Sequence, residues 1–418
     1  MIHDHSAWTP RLAHRMSNMQ ASEIRELLKV IERPGVTSFA GGVPDPALFP
    51  KEAMRRAYDA ILSERADAAL QYSVSEGDPA LRSWIAAELT RKGAPTAPEN
   101  ILITSGSQQA LEFLGRLLIT PGDTALVSAP TYLGALQAFA GCEPRYDDLP
   151  RAPSNCSAAD ARADAEAAGG NLSFAYAVPD FANPSGETMT KAERDALLDF
   201  AEAAEIPVIE DSPYSELRYD GAAQPSLLAL DIARSGSIDA CRTIHCGTFS
   251  KIFAPGMRVG WIAARRDLID RLVLMKQASD LNAPRINQLV MSSLAETCYE
   301  SQIDLARRSY RPKRDAMLEA LEDHMPTGMR WTRPEGGMFV WAPLPPGVDA
   351  KALLPQAVEQ AGVAFVPGSA FFHDGGGAET LRLSFSLASP DEIRDGIARL
   401  ADLIRTTLTR KTGAQPPV

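Results

Sequence analysis

Cysteine and histidine are scarce in this chain, with 5 and 6 residues among 418. Cys142, Cys156, Cys241, Cys246 and Cys298 form no C-x-x-C pair and are odd in number. The sequence therefore offers no metal-ligand framework and no disulfide scaffold. The cysteines read as neutral thiols in a reducing compartment, which points to the cytoplasm. Basic charge is also short: 42 Lys and Arg stand against 53 Asp and Glu, a net charge of -11. Nucleic acid is repelled on average and is not an expected partner. The N-terminus, MIHDHSAWTPRLAHRM, lacks the apolar core of a signal peptide. Uncharged runs are few. Thr124 to Cys142 is one, but it contains Ser128, Pro130, Thr131 and Gln137. It reads as a buried strand, a turn and a helix, so no membrane span is expected. Internal repeats and low-complexity segments are missing.

What is present is ordinary globular usage, 45% hydrophobic and 23% charged, in a chain long enough for two or three domains. Ser22 caps a predicted helix, ASEIRELLKVIE, with Ile24, Leu27, Leu28 and Ile31 at helical spacing. Pro34-Gly35 ends it, and the Gly/Pro-rich FAGGVPDPALFP follows as a loop. From about residue 98, short apolar runs alternate with amphipathic stretches. ILIT, TALVSA, LSFAYAV, IPVIED (206–211), RTIHCG (242–247) and RVGWIAA (258–264) are predicted strands. SQQALEFLGRLL and TKAERDALLDFAEAA are predicted helices, the second opened by a Thr190/Glu193 capping box. This alternation predicts an α/β fold with a mainly parallel sheet covered on both faces. Beyond about residue 290 a helix over 299–323 precedes the strand-like GMFVWAPL, VAFVP and LRLSFS. Ser389-Pro390-Asp391-Glu392 opens a last helix. The organisation read from this is an N-terminal arm and helix (1–50), a large α/β domain (51–290) and a smaller α+β domain (291–418), with a frayed tail at KTGAQPPV.

Function collects where the strands of such a sheet end. Four polar clusters follow predicted strands. SGSQQA (105–110) has the small residues and new helix start that let a backbone hold an anion, although on its own a plain strand-to-helix turn is the better reading. NPSG (183–186) reads as a proline turn. In IEDSPY, Asp211 closes an apolar strand, where a buried carboxylate needs a partner; a helix cap or salt bridge would also satisfy it. In GTFSKIFAPGMRVGW, Lys251 lies among Thr248, Ser250 and Gly256, with Arg258 following. Most lysines are solvated surface charges, but this one stands between two buried strands, where a desolvated amine becomes nucleophilic. An anion cradle, a carboxylate, a reactive lysine and an arginine together suit pyridoxal 5'-phosphate. Its aldehyde needs an amine, its phosphate a cradle, and its pyridine nitrogen an acid to stay protonated.

The ordered series SGSQQAL, PTY, NPSG, EDSPY, TFSK and PGMRVGW resembles the fold-type-I pyridoxal-phosphate-dependent aminotransferases of class I/II. FAGGVPDPALFP and QYSVSEGDPALR make it most similar to the 2-aminoadipate/aromatic group. The resemblance runs from about residue 16 to 405. It implies a seven-stranded, mainly parallel sheet plus a small α+β domain. It implies that Lys251 holds the cofactor covalently and later moves the substrate's Cα proton. Asp211 would pair with the pyridine N–H, Tyr214 and Asn183 would bond the phenolic oxygen, and Tyr132 would stack on the ring. Ser107, Gln108, Ser250 and Arg258 would hold the phosphate, with Thr248 a weaker candidate. Tyr72 would reach the phosphate of a neighbouring subunit, which implies a homodimer with shared sites. Arg382 would clamp the substrate α-carboxylate with help from Asn183, and Gly42 would line the pocket. A strand-edge surface charge is the other reading of Arg382. Arg25, between Glu23 and Glu26, would meet an acidic substrate side chain or belong to a solvated helix face. In ASDLNAPRINQ (278–288), Asn282 and Arg285 depart from the group's usual DLHT and leave side-chain specificity open.

The implied activity is ping-pong transfer of an amino group between an L-amino acid (2-aminoadipate, glutamate, leucine-like or aromatic) and a 2-oxo acid such as 2-oxoglutarate. A β-lyase or decarboxylase would use the same Lys251 and Asp211. A ligand-sensing regulatory domain of this type is disfavoured by the acidic charge and by the lack of a basic helix-turn-helix segment.

Overall fold

In the computed structural model, which describes residues 11–17, 19, 35–149 and 156–412, the apolar runs become strands of one sheet. They are β1 (Ile101–Thr104), β2 (Thr124–Val127), β3 (Arg145–Asp148), β4 (Leu172–Ala177), β5 (Val208–Asp211), β6 (Thr243–Thr248) and β7 (Gly260–Ala263). Their order across the sheet is β1-β7-β6-β5-β4-β2-β3. Pairing from β3 through β6 is parallel, and β7 is antiparallel to both β6 and β1. Every strand except β7 therefore points the same way, and their C-terminal ends share one edge. Outside β3, most of these strand residues are buried on both faces, which is why they read as continuous apolar runs and not as alternating ones.

Seven helices matter to the site: α1 (Ser107–Leu118), α2 (Leu133–Ala140), α3 (Lys191–Ala204), α4 (Leu227–Ser235), α5 (Arg266–Ser279), α6 (Arg285–His324) and α7 (Pro390–Thr412). Leu111, Phe113, Phe139 and Leu272 bring α1, α2 and α5 onto one face of the sheet. Leu197, Leu198, Leu227, Leu228 and Ile232 bring α3 and α4 onto the other. The predicted capping box opens α3: Glu193 N–H donates to Thr190 Oγ1 at 3.3 Å and Thr190 N–H to Glu193 Oε2 at 2.7 Å.

After the large sheet, β8 (Phe339–Pro343), β9 (Val366–Pro367) and β10 (Thr380–Ser384) form an antiparallel sheet in the order β9-β10-β8. Its core joins Phe339, Leu383 and Phe385 to Ile393, Ile397 and Leu400 of α7. The run VAFVP splits. Val363–Ala364 pairs in parallel with Thr37–Ser38, and β9 pairs with β10.

The predicted helix 299–323 is longer than expected. α6 begins at Arg285 and is broken at Cys298, whose φ of -143° and ψ of 15° are not helical. Its first part is buried at Leu289, Val290, Met291, Leu294 and Ala295, so the amphipathic signature is weak there. The helix runs through residue 290, where the sequence pattern changes. Thr124 to Cys142 divides into β2 and α2, and no helix among the described residues is long and apolar enough to cross a membrane. The predicted helix bearing Arg25 and the end of the tail lie outside the described residues.

Candidate active site

The shared edge gathers the chemistry. β1 ends in Ser105–Ser107, β2 in the turn to Tyr132, β4 in the loop to Asn183, β5 in Asp211, and β6 in the turn to Lys251. Two orphan atoms mark the centre. Asp211 Oδ1 and Arg382 Nε are among five buried side-chain polar atoms without a partner in the described residues. Buried polar atoms are normally satisfied, so each orphan points to a group still to be received.

Asp211 is buried, and its other oxygen accepts from Tyr176 Oη at 2.8 Å. Tyr176 is held by Phe139, whose ring meets Phe174 at 5.1 Å and Tyr176 at 5.9 Å, both edge-on. Burial pushes the Asp211 carboxyl up to about 6, opposed by the Tyr176 bond and the nearby His245 and Lys251. It is still ionised at neutral pH. Lys251 Nζ donates to Gly42 O at 2.9 Å and lies 5.7 Å from the Tyr214 ring centre. Desolvation brings this amine down to about 8, with Arg382 and Arg258 adding to the effect and Asp211 resisting it. An amine near 8 is partly neutral at physiological pH, the form that attacks carbonyls and accepts protons.

Arg382 is 2% exposed and sits in the central strand β10, so the strand-edge surface reading fails. Its guanidinium lies 4.4 Å from the Phe339 ring centre and 5.1 Å from that of Phe371. Nη1 donates to Asn183 Oδ1 at 2.8 Å and Nη2 to Ala40 O at 2.6 Å. Gly42 packs against both: a Cβ there would be 3.0 Å from Phe339 and 3.8 Å from Arg382 Nη1. Tyr214, edge-on to Phe339 at 5.7 Å, has its hydroxyl driven to higher pKa by burial, and the Asn183 side chain works against this through a hydrogen bond. Tyr132 lies over Gly134, where a Cβ would come within 2.4 Å of its ring.

The anion-cradle motif adopts the geometry its small residues allow. Gly106, at φ +81°, precedes α1, and a Cβ there would be 2.3 Å from Arg258 Nη2. Arg258 donates to Ser105 O at 3.2 Å. Thr248 Oγ1 donates to Ser250 Oγ at 2.9 Å. Ser107 is the first residue of α1, where backbone N–H groups lack intrahelical acceptors. The exposed Gln108 uses its side chain elsewhere, donating to Gly134 O at 2.8 Å.

Tyr72 is not brought to this centre within the chain; it is 76% exposed. Arg25 lies outside the described residues. Sequence reasoning missed several contributors. The tyrosine in the apolar run LSFAYAV was a signal for Tyr176. The helix-capping and salt-bridge role considered for Asp211 belongs to its neighbour Glu210. That side chain accepts from Leu227 N at 2.8 Å and Leu228 N at 3.1 Å at the start of α4 and meets His245 Nδ1 at 3.0 Å. The fully buried Arg194 bonds Pro179 O at 3.0 Å, Met189 O at 3.1 Å and Asp180 Oδ1 at 2.9 Å. It thereby fixes the loop that carries Asn183. An arginine inside a helical pattern gave no hint of this.

A family model described as aminotransferase class I and II matches residues 39–400. The aromatic-amino-acid aminotransferase 1 of Thermococcus litoralis is 42% identical over 94% of this chain and 93% of its own. The solved kynurenine aminotransferase of Pyrococcus horikoshii, in complex with PMP, superposes with a TM-score of 0.88 at 40% identity, covering 96% of this chain and 99% of its own. The solved alpha-aminoadipate aminotransferase of Thermus thermophilus, complexed with N-(5'-phosphopyridoxyl)-L-leucine, gives 0.85 at 38% identity over 96% and 99%.

Proposed function

We infer the mechanism from one premise: the chain belongs to the aminotransferase class I and II family and is an amino-acid aminotransferase. We propose that pyridoxal 5'-phosphate is its cofactor. The observation that carries this is the unpartnered, buried Asp211 Oδ1 beside a desolvated Lys251. An ionised carboxylate with one oxygen fixed by Tyr176 and the other open suits a protonated ring nitrogen. The glycine at 106, the start of α1, Ser250 and Arg258 suit a phosphate. When bound, the cofactor supplies an aldehyde that takes the amino group and a ring that stores the electrons left at the substrate Cα.

The protein's part follows from its residues. Asp211 would pair with the cofactor's ring nitrogen, Tyr214 and Asn183 would hold its phenolic oxygen, and Tyr132 would pack against the ring. Lys251 would hold the cofactor and, once freed by the incoming amino acid, its amine would take the substrate's Cα proton. Its lowered pKa lets the same amine accept and give that proton near neutral pH. Arg382 receives the substrate α-carboxylate; the Phe339 and Phe371 rings exclude water and strengthen that ion pair. Gly42 keeps the approach open.

The substrates we propose are glutamate and 2-aminoadipate together with leucine-like or aromatic amino acids, with 2-oxoglutarate as an acceptor. The named activities of the relatives support this breadth. Arg25 is proposed to meet the acidic side chains. Arg25→Ala should lower kcat/KM about tenfold or more for 2-aminoadipate and glutamate and leave leucine and phenylalanine unchanged. No change for any of the four would return Arg25 to the reading of a solvated charge. The protein is proposed to work in the cytoplasm, a reducing compartment that suits five cysteines none of which forms a disulfide.

The test of the whole reading is spectroscopic. Glutamate added alone to cofactor-loaded protein should convert the pyridoxal spectrum to the pyridoxamine one, and borohydride should tag Lys251. A colourless loaded protein, or a tag on another side chain, defeats it.

A further inference from the structure

Lys276 is 0% exposed, yet nothing in the mechanism above uses it. It stands near the end of α5, with Nζ 2.9 Å from Gln109 Oε1, 2.9 Å from Asp280 Oδ1 and 3.0 Å from Asp280 Oδ2. Its Nζ also lies 5.9 Å from the Phe113 ring centre. A buried lysine is expensive, and an apolar residue of similar size commonly stabilises a fold as well or better. The charge therefore needs an explanation beyond stability.

The partners of Lys276 all lead to Ser105. Gln109 Oε1 accepts from Ser105 N at 2.9 Å. Asp280 Oδ2 accepts from Ser105 Oγ at 3.3 Å and from Gln109 Nε2 at 2.8 Å. The remaining polar atom of Ser105, its carbonyl, accepts from Arg258 Nη2 at 3.2 Å. Every polar group of Ser105 is thus held. Ser105 immediately precedes Gly106 and the first turn of α1. An aspartate this close to an anion cradle would repel the anion if it stood alone. Lys276 neutralises it while Asp280 Oδ2 still accepts from Ser105 and Gln109.

We propose that Lys276, acting through Asp280 and Gln109, is a positioning residue for the phosphate end of the site. It fixes Ser105, and through Ser105 the Arg258 guanidinium and the start of α1, in the arrangement that receives the anion. The proposal rests on the reading of this site as a pyridoxal-phosphate site.

The test uses full-length protein stripped of cofactor and titrated separately with pyridoxal 5'-phosphate and with pyridoxal, which lacks the phosphate. Binding is followed by tryptophan fluorescence and calorimetry. Lys276→Met and Gln109→Leu should each weaken pyridoxal 5'-phosphate about tenfold or more, as the loss of a charge-assisted hydrogen-bond network implies. Pyridoxal binding should stay within about twofold, because the network addresses only the phosphate. The double variant should be no weaker than the worse single one, since both cut the same chain of bonds. At saturating cofactor, kcat should stay within about twofold of the parent. Equal weakening of both ligands, or unchanged affinity for both, overturns the proposal. If Lys276→Met does not fold, Gln109→Leu decides the matter alone. Failure of the parent protein to bind pyridoxal 5'-phosphate would defeat the cofactor reading itself, an outcome separate from a parent that binds and variants that bind equally well.

Discussion

Asp211 shows how function and stability pull apart in one side chain. Burial is the largest cause that pushes its carboxyl from its ordinary 3.8 up to about 6 in the fold. The folded state therefore keeps its proton to higher pH than the unfolded chain does. From about pH 4 to 6 this group's contribution falls as pH rises, and above 6 the penalty is constant. Asp211→Asn removes the charge and can still accept from Tyr176. In ligand-free protein it should raise Tm at pH 7.5, with up to about 3 kcal/mol of stability gained, and change little near pH 4. Activity should move the other way, falling on the order of a hundredfold or more. Thermal melts at the two pH values check the sign; a lower Tm at pH 7.5 refutes it. Arg382 poses the complementary case. Between Phe339 and Phe371 a lysine would keep the charge but lose the planar fork and the stacking. Arg382→Lys should cut kcat/KM about a hundredfold, and an equal fall for every amino acid tested would mark a contact with the shared α-carboxylate. Asp211 stood out as a carboxylate closing an apolar strand and Lys251 as an amine between two buried strands, whereas Arg382 came from the family resemblance alone. Tyr176, Glu210 and Arg194 were not legible. Their roles depend on which strands and loops become neighbours, and β4 meets β5 only after about thirty intervening residues have folded away.

The elements themselves were read well where local chemistry decides them. α3 begins where Thr190 and Glu193 can cap each other, and the last helix begins where Ser389 Oγ donates to Glu392 Oε2 at 2.8 Å. Thr190→Ala should therefore cost about 1 kcal/mol without touching kcat, since the Thr190 side chain bonds Glu193 at the start of the helix. Chemical denaturation with parallel kinetics tests this; a fall in kcat would show that the cap also tensions the loop bearing Asn183. Reading was weaker where tertiary packing decides. Arg285 to Thr297 is helical although its faces carry no clear apolar stripe, because neighbours bury it on several sides. The strand at RVGWIAA starts later than its apolar run because Arg258 takes a left-handed conformation, φ +52°, that turns the chain beside Gly106. In VAFVP a single apolar run serves two different pairings, a choice that only the assembled small sheet can make.

Around Tyr72 the chain exposes a short run of large apolar side chains. Leu70 is 73% exposed and Val74 54%, on either side of Tyr72 itself. Three large apolar side chains in one short segment are unusual for a free surface and suit a subunit contact. We propose a homodimer in which Tyr72 completes the phosphate site of the other subunit. Shared sites make a sharp prediction. Lys251→Ala lacks the essential amine, and Tyr72→Ala lacks only the group it donates, so each homodimer is impaired at both sites. In a mixed dimer one site has both defects. The other combines an intact Lys251 with an intact Tyr72 supplied by the Lys251→Ala subunit. After unfolding and refolding an equal mixture, random pairing places about half the molecules in mixed dimers, each with one whole site. Activity should then return to about a quarter of the parent level. Sedimentation would confirm that the mixture is dimeric. If the refolded mixture regains nothing beyond the average of its two parents, each subunit has been using its own Tyr72 or none, and the exposed Leu70–Val74 segment must be explained by some contact other than a shared active site.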